Sequence, residues 1–348
     1  MDHNLRCFGT TPKTHNLFSL IFFFFFFSFS NAAFDLATIP FSDGYSLLFG
    51  GSNVVRTADD NGVKLLLDRY TGSGFISSNM YRYGFFSANI KLPSNYTAGV
   101  CVAFYTSNGD VFQKSHDELD FEFLGNVAGK PWQFQTNLYG NGSTNRGREE
   151  RYRLWFDPTK EYHRYSILWT AKNVIFYIDD VPIREVLRSV EMGGDYPSKP
   201  MSLYATIWDA SNWATSGGRY KANYKYAPFI AEFKDLVLKG CPVNPIQEVS
   251  DDKACADQHI DLEAQEYATM TPMRRRAMHK FRKHFMYYSY CYDTLRYPTL
   301  MPECNIIPAE QERFMETGRL RSSGSRRRQA RRKSRTKTLV DVTNKGYM

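Results

Sequence analysis

Between residues 41 and 240, hydrophobic positions come in short runs broken by Gly, Asn, Asp and Pro. Residues 63–68, 84–92 and 100–105 are three such runs, and Asn61-Gly62, Asn108-Gly109 and Asn141-Gly142 mark turns. Residues 165–178 hold two more runs with a break near Asn173; the second leads into a turn at Asp180 and Pro182. Many short strands with regular turn signals predict an all-β sandwich or barrel. After Cys241 the pattern changes. Thr271-Pro272 reads as an N-cap followed by Pro at the first helical position, so a basic helix is expected from Met273 to about Phe285. Residues 286–292 then read as a strand. This part is an extension of the main domain. From Ser322 onward there is no apolar period, and the chain is too polar and basic to bury a core there.

The amino terminus changes the picture. Arg6 and Lys13 precede an uncharged apolar run, residues 17–29, which includes six consecutive Phe and is followed by small residues. This predicts a secretory signal over residues 1–32, too short to span a bilayer comfortably. The cysteines agree with export. Cys101 lies in an apolar run as a buried free thiol, and Cys241, Cys255, Cys291 and Cys304 are an even late cluster that predicts two disulfides. Neighbour pairing is the simplest of three connectivities. Zinc sites use tighter paired spacings than these. Asn95-Tyr-Thr97 and Asn141-Gly-Ser143 are glycosylation sequons. The net charge of +8 is concentrated in residues 319–337, which carry ten Lys or Arg and no acid, so the body is close to neutral.

The segment from His116 to Gly125 carries the chemistry. Read with a period of two, it puts Leu119, Phe121 and Phe123 on one face and His116, Glu118, Asp120 and Glu122 on the other. Alternate residues stand about 6–7 Å apart, so three carboxylates repel and at least one proton is held more tightly. Carboxylates of unequal proton affinity are what glycoside hydrolysis needs: an ionised nucleophile and a protonated acid. With Cα atoms about 13 Å apart, Glu118 and Glu122 must lean together above Asp120. The alternatives are a plain acidic surface strand or a calcium site, although calcium usually collects its oxygens from a loop.

This segment resembles the active-site strand of the plant xyloglucan endotransglucosylase/hydrolases of glycoside hydrolase family 16, with Leu119 standing where their pattern has Ile. The resemblance spans roughly residues 40–305. It also rests on the sequon at Asn141, residues 154–158, 181–184 and 207–215, and the four late cysteines. It implies a concanavalin-like jelly-roll β-sandwich with an open groove and a small disulfide-stapled helix/strand extension. The divisions it suggests are 33–240 for the catalytic sandwich, 241–305 for the extension and 306–348 for a basic disordered tail. Matched to the family, Glu118 is the nucleophile, Glu122 the acid and then the base, and Asp120 the helper of Glu118. Tyr105, His116, Gln135, Asn137, Trp208, Trp213, Tyr290 and Arg296 match sugar-binding groove positions. The implied activity is cleavage of the β-1,4-glucan backbone of xyloglucan and transfer to a xyloglucan acceptor, by a secreted monomer of the cell wall and apoplast. No cofactor or metal is implied, and neither nucleic acid nor membrane is a partner; the tail could touch pectin. Strict hydrolases of the family resemble one another in a longer loop after the second groove Trp, which residues 217–228 lack. Between Tyr105 and His116 the chain is about three residues longer than many members. A hydrolase and a non-enzymatic lectin-like binder are the other readings of the same fold.

Overall fold

The computed structural model describes residues 34–243 and 255–321. The expected export signal and the polar stretch from Ser322 lie outside the described residues. Nine strands make the first half: β1 (Tyr45–Phe49), β2 (Val54–Arg56), β3 (Gly62–Leu67), β4 (Ser73–Ser77), β5 (Met80–Lys91), β6 (Val100–Ser107), β7 (Glu118–Leu124), β8 (Gln133–Tyr139) and β9 (Glu150–Arg153). Six follow: β10 (His163–Trp169), β11 (Asn173–Ile178), β12 (Val181–Leu187), β13 (Ser202–Asp209), β14 (Phe229–Val243) and β15 (Met286–Ser289). They form two antiparallel sheets, ordered β1-β4-β13-β6-β7-β8-β9-β15 and β12-β11-β10-β5-β14-β3-β2, stacked as a jelly-roll sandwich.

Alternation along β7 aims Leu119, Phe121 and Phe123 into the core, all fully buried. Phe121 meets the Phe176 ring of the facing sheet edge-on at 5.2 Å, and Phe123 meets Tyr165 at 4.7 Å. Such contacts fix which face of β7 looks inward, because a slip of one residue would bury the carboxylates instead.

Three local expectations change. Pro182 is not in a turn: the turn is Asp179-Asp180, both at positive φ, and Pro182 lies within β12. β12 is an edge strand, where the missing N–H costs little in the ladder. The strand expected over residues 286–292 stops at Ser289, whose partner Glu150 is the first residue of β9; residues 290–292 turn instead. The tail does not begin at 306. Phe314 is buried against the Tyr292 ring at 4.9 Å, and Glu310, also buried, meets Arg282 at 3.2 Å. A tertiary ion pair and one aromatic anchor thus order residues that carry no apolar period.

The extension joins the groove sheet directly. The helix Pro272–Phe285 starts at Thr271, whose side chain accepts from the Arg274 N–H at 3.3 Å. The helix leads into β15, which pairs with β9. The structure pairs Cys241 with Cys255 and Cys291 with Cys304, and leaves Cys101 free and buried.

Candidate active site

β7 lies between β6 and β8, and the register arranges the outward side chains in rows. Glu118 stands between Ser107 and Tyr139, Asp120 between Tyr105 and Asn137, and Glu122 between Ala103 and Gln135. β13 extends the second and third rows with Tyr204 and Thr206. These rows floor an open cleft, with Trp208 at one side.

The three carboxylates are not equivalent. Burial pushes all three above their ordinary values. Against that, Glu118 receives help in its ionised form from Ser107, from the nearby His116 and from a hydrogen bond with Asp120. His116 Nε2 is 3.9 Å from Glu118 Oε2. Asp120 is raised furthest in character: it is buried, faces both glutamates, and its hydrogen bond to Glu118 favours the protonated form. Glu122 is supported as an anion by the Gln135 amide at 2.6 Å and by the Arg151 charge, but is pushed up by the charges of Glu149 and Glu118 as well as by burial. Of the three, Glu118 is thus the best-supported anion, and Asp120 and Glu122 favour their protonated forms more strongly than a free carboxyl does.

The other groove candidates divide. Tyr105 stacks on Tyr204 at 5.0 Å, nearly parallel, and the Tyr204 hydroxyl donates to Asp110 at 2.7 Å. Asp110 belongs to the longer stretch between Tyr105 and His116. Asn137 lines the cleft while its Oδ1 accepts from the Arg148 N–H at 2.8 Å, holding the loop before β9. Trp208 and Trp213 sit 5.9 Å apart, with Trp213 38% exposed. The loop that follows is pinned through Thr215, whose hydroxyl donates to Gly125 O and accepts from Gly99 N–H, both at 2.8 Å.

Tyr290 is not in the cleft. It is buried, its hydroxyl donates to Glu303 at 2.9 Å, and the Arg184 guanidinium lies 5.5 Å from its ring. The groove-facing tyrosine is Tyr288. The third row runs Glu122, Gln135, Arg151, Tyr288, and the Arg151 guanidinium lies 5.1 Å from the Tyr288 ring. Arg296 is exposed, within hydrogen-bonding influence of Tyr288. Sequence reading also missed Tyr139, which lines the cleft. The alternation that selects Gln135 and Asn137 continues to it. Ser107 and Arg151 had no signal without the register.

Asn95 and Asn141, the two sequon asparagines, are exposed and both sit at positive φ, as turn residues. Gly142, at φ 75°, is required: a Cβ there would lie 2.1 Å from the Lys114 carbonyl oxygen.

Asp120 makes a test of this electrostatic reading. Its folded proton affinity is raised, so its contribution to stability is fully present below its ordinary value of 3.8 and is lost as pH rises through the folded value. Asp120→Asn is neutral at every pH and keeps a donor toward Glu118. Its melting temperature is expected above wild type at pH 7 and equal to wild type near pH 3, while kcat falls about 10²-fold. A variant less stable than wild type at pH 7 would show that Asp120 is instead a stabilised anion.

Comparison with known proteins gives consistent matches. The family described as Glycosyl hydrolases family 16 matches residues 41–226, and that described as Xyloglucan endo-transglycosylase (XET) C-terminus matches residues 257–304. The chain is 66% identical over 313 residues to probable xyloglucan endotransglucosylase/hydrolase protein 30 of Arabidopsis thaliana, covering 90% of this chain and 91% of that protein. It is 59% identical over 316 residues to probable xyloglucan endotransglucosylase/hydrolase protein 29 of the same plant, covering 87% and 88%. Among solved structures, a Bacillus licheniformis β-glucanase aligns with a TM-score of 0.46 at 22% identity, covering 56% of this chain and 91% of that one.

Proposed function

The chain belongs to the xyloglucan endotransglucosylase/hydrolases of glycosyl hydrolase family 16, and on that footing we propose that it is chiefly a transferase. In this reading it cuts the β-1,4-glucan backbone of xyloglucan and passes the new end to a second xyloglucan chain. Glu118 attacks the anomeric carbon and forms a glycosyl-enzyme, while Glu122 protonates the departing glycosidic oxygen. Glu122 then takes the proton of the incoming sugar hydroxyl as that hydroxyl attacks the same carbon and Glu118 leaves. Asp120 positions Glu118 through their shared proton. The unequal support of Glu118 and Glu122 along one strand carries the assignment.

What attacks the intermediate separates a transferase from a hydrolase. On the side of the cleft beyond Glu122, Arg151, Tyr288 and Arg296 offer donors and an aromatic ring to an acceptor, and two of the three come from the extension. A sugar held there competes with water by proximity. The short, pinned loop after Trp213 supports the same reading.

The reading also includes secretion through the signal over residues 1–32, action in the cell wall and apoplast, and glycans on Asn95 and Asn141. The division into a catalytic sandwich through 240 and an extension from 241 is kept, with the extension running on to 321. No helix among the described residues is long and apolar enough to cross a membrane.

The deciding experiment gives purified protein xyloglucan polymer and a labelled xyloglucan oligosaccharide. Label is expected to enter polymer, with new reducing ends the minor product. Chain shortening with no label incorporated makes the protein an endohydrolase, and binding with neither outcome makes it a lectin-like binder.

A further inference from the structure

The third row of the groove sheet does not end at Tyr288. Arg319 pairs with Tyr288 across an isolated antiparallel bridge, and the Leu320 N–H donates to Tyr287 O at 3.1 Å. Residues 319–320 thus lie along the open edge of β15. In the neighbouring row Gln133 stands opposite Arg153, with the same parity as Gln135 and Arg151, so both face the groove. The Tyr287 hydroxyl donates to Gln133 Oε1 at 3.0 Å, and the Arg153 guanidinium lies 5.9 Å from the Tyr287 ring. Arg153, Tyr287 and Arg319 therefore gather on one ledge. Four strand spacings of about 4.8 Å put Arg319 about 19 Å from the Glu122 strand.

The charges on this ledge are unmatched. Arg153 and Arg319 are both exposed, and among the described residues neither has a carboxylate within ion-pair distance. The nearby acids are engaged: Glu149 is 2.5 Å from Arg151, and Asp293 accepts from the Tyr288 hydroxyl at 2.9 Å. A neutral glucan needs no such pair of cations. A carboxylate fits a guanidinium fork, and the Tyr287 ring offers a face for the sugar that bears it.

We infer that Arg153, Tyr287 and Arg319 form an outer acceptor subsite that binds the carboxylate of a uronic acid. The inference rests on the acceptor side assigned above. The uronate could be a substituent on the acceptor chain or part of a separate polyuronide, and the two sources are distinguishable.

The test uses the full chain carrying Glu118→Ala, so that binding is read without turnover. Three probes are titrated by calorimetry: a neutral xyloglucan oligosaccharide, the same oligosaccharide with its galactose C6 oxidised to a carboxylate, and an oligogalacturonide. The oxidised probe is expected to bind about fivefold more tightly than the neutral one at low salt, with the ratio falling as salt rises. Adding Arg153→Gln and Arg319→Gln is expected to bring the ratio to one, whereas ending the chain after Arg321 leaves it in place. Oligogalacturonide binding lost in the double variant identifies a separate polyuronide as the source; binding of the oxidised probe alone identifies a substituent. Equal affinity for neutral and oxidised probes overturns the inference, as does a preference that survives both substitutions or vanishes with the tail. Failure of all three to bind the groove, with no label transfer by wild type, would fall on the transferase reading instead.

Discussion

Glu118→Ala is expected to lose transfer activity by about four orders of magnitude or more while keeping its fold and its affinity for xyloglucan. The side chain is partly exposed at the cleft floor, and its burial raises its proton affinity. Removing it relieves its charge repulsion with Glu122, gives up its hydrogen bond with Asp120, and breaks no core contact. Azide added to this variant should restore turnover of an activated glucoside by entering the space of the missing carboxylate. The product should be the glycosyl azide of inverted configuration, because one displacement replaces two. The same experiment on Glu122→Ala should give the azide of retained configuration, since Glu118 still forms the intermediate and azide replaces the incoming sugar. Interchanged stereochemistry would reverse the two roles. The two glutamates are four residues apart on one strand, so no argument from spacing alone could separate them; their neighbours do.

The second large effect concerns stability. Glu150 is fully buried and accepts from Arg282 at 2.6 and 3.0 Å and from Ser289 at 2.9 Å. Burial alone would raise its proton affinity, but Arg282, Arg184 and the Tyr152 hydroxyl bring it down to about 2. Arg282 in turn meets Glu310, whose carboxylate also accepts from Tyr292 at 3.1 Å. This network ties β9, the helix, β15 and residues 308–314 into one unit, and that unit carries the acceptor wall. Glu150→Ala takes the buried Arg184 guanidinium's carboxylate neighbour away and leaves Arg282 with Glu310 alone, and is expected to cost about 3–5 kcal/mol, a fall in Tm of about 10 °C. The depressed value means that Glu150 stabilises the protein above its ordinary value of 4.5 and that this stability is lost as pH falls from there toward about 2. Glu150→Gln should therefore flatten the acid limb of stability against pH. Thermal melts between pH 2 and 7 check both; an unchanged Tm in the alanine variant would mean that the extension is not held by this pair.

Much of the site was legible because a strand's period of two is a strong constraint. Once Leu119, Phe121 and Phe123 are assigned to the core, Glu118, Asp120 and Glu122 have nowhere else to point. The helix was legible from Thr271 and Pro272, which satisfy a helix start chemically. What was not legible depends on partners far away in sequence. Ser107 supports Glu118 only because β6 pairs with β7 in one register. Tyr288 rather than Tyr290 faces the groove because β15 ends at Ser289 and residues 290–292 turn, so a parity count carried past the end of the strand fails. Residues 306–321 fold through Glu310 and Phe314, two anchors with no periodic signal between them.

The most direct test of the account is mass spectrometry of protein quenched during turnover of a xyloglucan oligosaccharide donor. The expected result is a covalent oligosaccharide on the peptide that holds Glu118, on that residue, discharged much faster by an added xyloglucan acceptor than by buffer. A glycosyl adduct on Glu122, or one that buffer discharges as fast as acceptor does, would contradict it.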